Sequence, residues 1–187
     1  MKSFLRPIIV SALLLLAFGF GFPGLLWGVA QLLPQRAAGS PVVAGGRVVG
    51  FERIGQKFTQ ARYFWGRPSA VDYNAAATGA SNAGPNTPVF LATVRTRLDT
   101  FLLKNPGVAK GQVPVELVTA SASGIDPDLS PAAAYVQVAR VARARHLPAE
   151  RVRQLVAQHT QQPWLGFIGP AHVSVLHLNL ALDKLSR

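Results

Sequence analysis

Between Arg6 and Arg36 the chain carries no charged residue. From Pro7 to Leu33 most positions are Leu, Ile, Val, Phe, Ala, Trp or Gly. A helix rises about 1.5 Å per residue and a bilayer core is about 30 Å thick, so about 20 apolar residues cross it. The run reads as a transmembrane helix over 7–33 with length to spare. The competing reading is a cleaved signal peptide, with Ala37-Ala38-Gly39 as its small-residue site. Signal apolar regions are only about 7–15 residues long, which favours a retained anchor.

The run also has a pattern. Ala17, Gly21, Gly24 and Gly28 recur at steps of four, three and four, on one helix face. Small residues so spaced let a second helix approach closely in lipid. Glycine is also simply common in membrane helices, and Pro23 beside Gly24 introduces a kink. An anchor with a dented face suggests a subunit of something larger.

Beyond the anchor, about 140 residues remain, enough for one domain with its own core. The chain has no cysteine, which excludes disulfides, thiolate metal sites and cysteine nucleophiles. The formal net charge is +11. Near a membrane such a balance suits anionic lipid or an acidic partner. No long Lys/Arg run occurs and the aromatics are not interleaved with basic residues, so nucleic acid is set aside. Lys2, Arg6 and the amino terminus precede the helix, and only Arg36 follows it closely. The positive-inside bias then leaves 1–6 as a cytoplasmic tail and carries the domain outward.

Residues 34–46 are rich in Pro, Gly, Ala and Ser and read as a linker. Val48, Val49, Phe51 and Ile54 predict one or two short strands. Tyr63-Phe64-Trp65, between Arg62 and Arg67, reads as core or interface anchors rather than a stacking platform for a ligand. Asp72–Pro88 is a long turn-rich loop of the kind that is often functional. Phe90, Val94, Leu98, Phe101 and Leu102 then predict a helix ended by Asn105-Pro106-Gly107. A strand is expected over Pro114–Thr119 and a helix over Pro131–Arg145, with Arg140, Arg143 and Arg145 outward. Another helix is expected over Ala149–His159, a strand over Val173–Leu178, and a helical turn over Asn179–Leu185. The fold class is a single N-terminal transmembrane helix followed by one α+β globular domain over 47–187.

Catalytic motifs are missing. There is no phosphate-cradling G-x-x-x-x-G-K-[ST], no G-x-S-x-G elbow and no H-E-x-x-H. His146, His159, His172 and His177 lack a metal-ligand spacing. The phosphorylated-aspartate motif of a P-type pump's catalytic chain is not present either. The loop holding Ser123, Asp126, Asp128 and Ser130 precedes Pro131. A helix N-terminus can hold an anion. Two carboxylates there favour capping of the helix by its own chain instead.

Several blocks carry a family likeness. They are Gly55-Gln56 with Phe58, Tyr63-Phe64, Arg67-Pro68-Ser69 and Ala80-Ser81-Asn82. They continue with Leu117-Val118-Thr119-Ala120-Ser121-Ala122-Ser123-Gly124, then Asp126, Ser130, Pro131 and Gln137. Arg140-Val141-Ala142, Ala144-Arg145 and Leu178-Asn179-Leu180-Ala181-Leu182-Asp183 complete the set. With these blocks the chain resembles the small C subunit of the Kdp-type potassium-transporting ATPases of bacteria and archaea. Departures are small: Asp128 stands where His or Asn also occurs, and Ala83 where Leu is expected.

The resemblance implies a non-catalytic subunit of an ATP-driven, high-affinity potassium uptake complex in the bacterial inner membrane. The implied partners are a channel-like potassium-binding subunit, a P-type ATPase subunit and a very small membrane subunit. It also implies a second role, a catalytic chaperone that binds ATP and raises the ATPase subunit's nucleotide affinity, with Gln137 in the segment concerned. No tightly bound cofactor is expected. ATP is cytoplasmic, whereas the charge bias carries the domain outward, so the two roles conflict. The expectation drawn here is assembly or stabilisation of the complex.

Overall fold

The computed structural model describes residues 2–185, with side chains from Phe4 onward. Met1 of the expected tail, and Ser186 and Arg187 of the expected domain, lie outside the described residues. Two compact units divide the chain at Pro41 and Val42.

The first unit is helical from the start. α1 runs over Lys2–Leu16, a π turn over Ala17–Gly21, and α2 over Phe22–Gln31. Lys2–Arg6 is therefore part of the helix rather than a separate tail. Phe4–Gln31 is long and apolar enough to cross a membrane. Pro23 lies in the first turn of α2. Its ring has no N–H to donate and would crowd the carbonyl four residues back, and the widened π turn ahead of it accommodates both. A short helix α3, Pro34–Ala37, follows.

At the division stands strand β1, Pro41–Ala44, paired with β2, Arg47–Phe51, across the turn at Gly45-Gly46. Both turn glycines have positive φ, a conformation a side chain would resist. The stretch 34–46 thus holds a helical turn and a strand where composition alone suggested only a linker. No helix or strand interrupts the chain from Glu52 to Thr87. Helix α4, Pro88–Lys104, starts with proline in its first turn, and Phe101 is its buried anchor. The outer positions of the expected stripe, Phe90, Val94, Leu98 and Leu102, are partly buried.

The stretch 114–119 is not a strand. Proline at 114 favours a turn, and Val115–Leu117 forms one turn of 3-10 helix. Strand β3, Asp128–Leu129, leads into helix α5, Pro131–Tyr135. Helix α6, Val138–Arg145, follows after a break at Gln137. Helix α7 spans Ala149–Gln158, strand β4 Thr160–Gln161 and strand β5 His172–Ser174. Helix α8, Val175–Leu185, closes the described chain. The strand expected over 173–178 stops at Ser174, because Val175, Leu178 and Leu182 form a helical stripe that is buried.

β5 is the centre of a three-stranded antiparallel sheet in the order β3-β5-β4. The core lies under it, built from Phe64, Phe101, Leu129, Val138, Val141, Val152, Val156, Val173, Leu178 and Leu182. Each of these side chains contributes roughly 1.5–3 kcal/mol by leaving water. The result is one membrane-length helix and one α+β domain.

Candidate functional site: a clamped aromatic segment and its surroundings

Segment 60–68 has no regular structure, yet it passes through the core. Phe64 is fully buried. An extended backbone inside a protein must find partners for its N–H and C=O groups. Two side-chain amides supply them. Phe64 N–H donates to Asn179 Oδ1 (2.8 Å) and Asn179 Nδ2 donates to Phe64 O (3.0 Å). Trp65 N–H donates to Gln137 Oε1 (2.9 Å) and Gln137 Nε2 donates to Trp65 O (3.1 Å). Asn179 on α8 and Gln137 between α5 and α6 thus act as neighbouring strands would.

Gln137 is 0% exposed. Its Nε2 also donates to Ala133 O (3.0 Å), and its Oε1 also accepts from Arg140 Nη2 (2.6 Å). Both amide protons and both acceptor positions are therefore used. The same residue explains the helix break. The Gln137 backbone N–H turns to Ala134 O, three residues back. The Ala133 carbonyl it leaves behind is taken by the Gln137 side chain.

Arg140 and Arg145 correct the outward placement expected from helix periodicity. Arg140 is 5% exposed. It donates from Nε to Asn105 Oδ1 (2.9 Å), from Nη1 to Ala61 O and Tyr63 O, and from Nη2 to Gln137. Its guanidinium carbon lies 3.7 Å from the centre of the Trp65 ring. These acceptors are all neutral, and burial lowers its pKa to about 10. It remains charged at neutral pH. Arg145 donates to Arg62 O (2.7 Å) and pairs with Asp183 at 2.7 Å, and Asp183 also accepts from the Tyr63 hydroxyl (3.1 Å). Arg143 is exposed as expected.

The capping loop divides its labour. Ser130 Oγ accepts from Ala133 N–H and caps α5. The Ser130 N–H and hydroxyl both donate to Glu116, a residue the sequence did not single out. Asp126 does not cap the helix; it pairs with Arg67 at 3.0 Å and accepts from Asp128 N–H. Ser123 accepts from Ile125 N–H within the loop. Asp128 lines a cleft of about 420 Å³ with Glu52, Arg53, Gln161, His172 and Ser174. Its pKa is raised chiefly by burial, against the pull of His172. Among the described residues no group of three or more His, Cys, Asp or Glu is placed to hold a metal. Tyr73 donates to Arg67 O (2.6 Å), and burial, with Asp126 nearby, pushes its hydroxyl up to about 12.

In the membrane-length helix, Ala17 opens the π turn and Gly21 closes it. A Cβ added at Gly24 or Gly28 would meet nothing within 4 Å, so that face is bare. The sequence offered Asn105 only as a helix stop and Arg140 as an outward residue within a family block, and it did not point to Glu116. It offered Asn179 only as part of a motif.

Known proteins place this architecture. The family model described as "K+-transporting ATPase, c chain" matches residues 4–184. A potassium-transporting ATPase KdpC subunit of Polaromonas naphthalenivorans is 55% identical over 99% of this chain and 96% of its own length. One from Nitratidesulfovibrio vulgaris is 49% identical over 100% of this chain and 96% of its own. One from Flavobacterium psychrophilum is 44% identical over 99% and 100%. The chain with the clamped aromatic segment belongs to the KdpC family, the C chain of the K+-transporting ATPase.

Proposed function

We propose that this chain is a non-catalytic subunit that assembles or stabilises its potassium-transporting complex. In this reading the domain lies on the outer face of the bacterial inner membrane. The partners are the channel-like, P-type ATPase and very small membrane subunits, and the small-residue face at Ala17, Gly21, Gly24 and Gly28 packs against one of them. The observation that carries the reading is Gln137. A residue that binds nucleotide needs a free donor or acceptor at a surface, and every bond of this amide is used inside the domain. The start of α5 is likewise occupied by Ser130.

Topology is the test, because ATP is cytoplasmic. The chain has no cysteine, so single cysteines at the exposed Leu103 and Lys184 report without background. In intact cells both should react with a membrane-impermeant thiol reagent. Reaction at both sites only after permeabilisation would restore the catalytic-chaperone role with ATP as its ligand. Replacing Gly21 and Gly24 together with Ile should weaken co-purification of the complex while the chain stays in the membrane. Unchanged co-purification would remove that face from the interface.

A further inference from the structure

A cluster of exposed apolar residues lies in the loop between β4 and β5. In Pro163-Trp164-Leu165-Gly166-Phe167-Ile168-Gly169-Pro170, Trp164 is 69% exposed, Leu165 66%, Phe167 77% and Ile168 45%. Four large exposed apolar side chains within one turn are of the kind that marks a contact surface. The surrounding sequence is unusual too. No Asp, Glu, Lys or Arg occurs from Gln154 through Leu182.

The backbone of this loop is bonded to itself. Trp164 N–H donates to Ile168 O (3.0 Å) and Ile168 N–H to Trp164 O (2.9 Å). Gly166 N–H donates to Pro163 O and Phe167 N–H to Trp164 O. Gly166 and Gly169 take positive φ, and Leu165 is held at φ 52°, a left-handed conformation that leucine resists. The turn therefore offers side chains to its surroundings while tying down the N–H groups of Trp164, Gly166, Phe167 and Ile168 and the carbonyls of Pro163, Trp164 and Ile168. Hydrocarbon favours both, since it has no water to satisfy a free N–H or C=O. Interfaces between proteins carry a polar rim, whereas this turn lies in a stretch without Asp, Glu, Lys or Arg.

The geometry points to the Trp164–Ile168 turn as a lipid-inserting wedge: Trp164 sits at the interface and Leu165, Phe167 and Ile168 enter the acyl boundary. Tryptophan is the residue that membrane interfaces enrich. Chain length keeps the bilayer in reach. Residues 32–41 extend to about 35 Å at most. A domain of this size has a radius of gyration of about 15 Å. The wedge needs lipid on whichever side the domain lies, so it stands or falls separately from the topology proposed above.

The test uses the full chain in vesicles of phosphatidylethanolamine and phosphatidylglycerol, with no other subunit present. A nitroxide at Phe167→Cys is compared with one at Leu103→Cys, an isolated exposed position on α4. The ratio of oxygen to nickel-complex collisions should be severalfold higher at 167. Adding Trp164→Ser and Leu165→Ser to Phe167→Cys should return the ratio to that of position 103. Equal ratios at 167 and 103 in vesicles would overturn the inference. Shielding of 167 that appears only in the assembled complex would also overturn it and assign the turn to a protein partner.

Discussion

Two irregular stretches of this domain look alike in sequence and behave in opposite ways. Tyr63-Phe64-Trp65 and Trp164-Leu165-Gly166-Phe167-Ile168 are both aromatic-rich and both end at Gly and Pro. The first is stitched to distant side chains, Gln137, Asn179, Arg140 and Arg145, and buries Phe64 completely. The second makes its backbone bonds within residues 163–168 and leaves its side chains outside. What separates them is where the backbone finds its partners, not hydrophobicity. A backbone that borrows partners from elsewhere is fixed to the body of the domain. One that supplies its own is free to project.

The largest expected effect is at Arg140. Arg140→Met leaves Ala61 O, Tyr63 O and Asn105 Oδ1 without their shared donor. A loss of about 3–5 kcal/mol is expected, after partial relief from no longer burying a charge. Chemical unfolding of the full chain in detergent measures it. A loss under about 1 kcal/mol would mean that the clamp is not what fixes the segment.

Gln137→Leu and Asn179→Leu come next, at about 2–4 kcal/mol each, because each strands a buried N–H and C=O. Proteolysis should then cut first near 60–65. Cleavage elsewhere would separate the stability loss from the stretch the amides hold. Ser130→Ala removes a local cap and should cost about 1 kcal/mol. In thermal melting it should fall between the amide variants and wild type, which sets the scale for a contact made within the local chain.

Trp164→Ala with Phe167→Ala should change stability by no more than about 0.5 kcal/mol, as for other exposed positions. A larger loss in the same melts would place this turn in the packed class and break the contrast.

The smallest effect is a titration. Neither stretch contains a carboxylate, so acid should act at Asp128 instead. Its folded pKa is raised by burial, so it contributes more stability below its unfolded pKa and loses that contribution as pH rises through the folded value. Asp128→Asn should flatten this part of the stability-pH curve. A slope unchanged by the substitution would assign it to another group.

Legibility in the sequence followed the range of the interactions. The membrane-length helix, α4 and α7 were legible because helical periodicity is local, and so was the Ser130 cap. Val175 onward was misread because Val173, Val175 and the leucines suit a strand or a helix, and pairing of His172–Ser174 with both neighbours decides where the strand stops. Arg140 and Arg145 were assigned to solvent because charge ordinarily seeks water. Nothing nearby in the chain announces the carbonyls of Ala61, Tyr63 and Arg62 that draw them in. Gln137 stood out only by family resemblance, and its bonds to Trp65 lie beyond any local pattern.

The clamp also governs when the domain can take shape. The Phe64–Asn179 pair joins residues 115 positions apart, and the Trp65–Gln137 pair joins residues 72 apart. At about 5–20 residues per second, the ribosome needs roughly 6–23 s to pass from one end of the longer pair to the other. The anchor and the aromatic segment emerge first and must wait for α8. Until then Phe64 has no core to enter and its backbone no amide to meet. Such distant pairings are slow to form. The membrane-length helix is therefore complete well before the domain behind it can close.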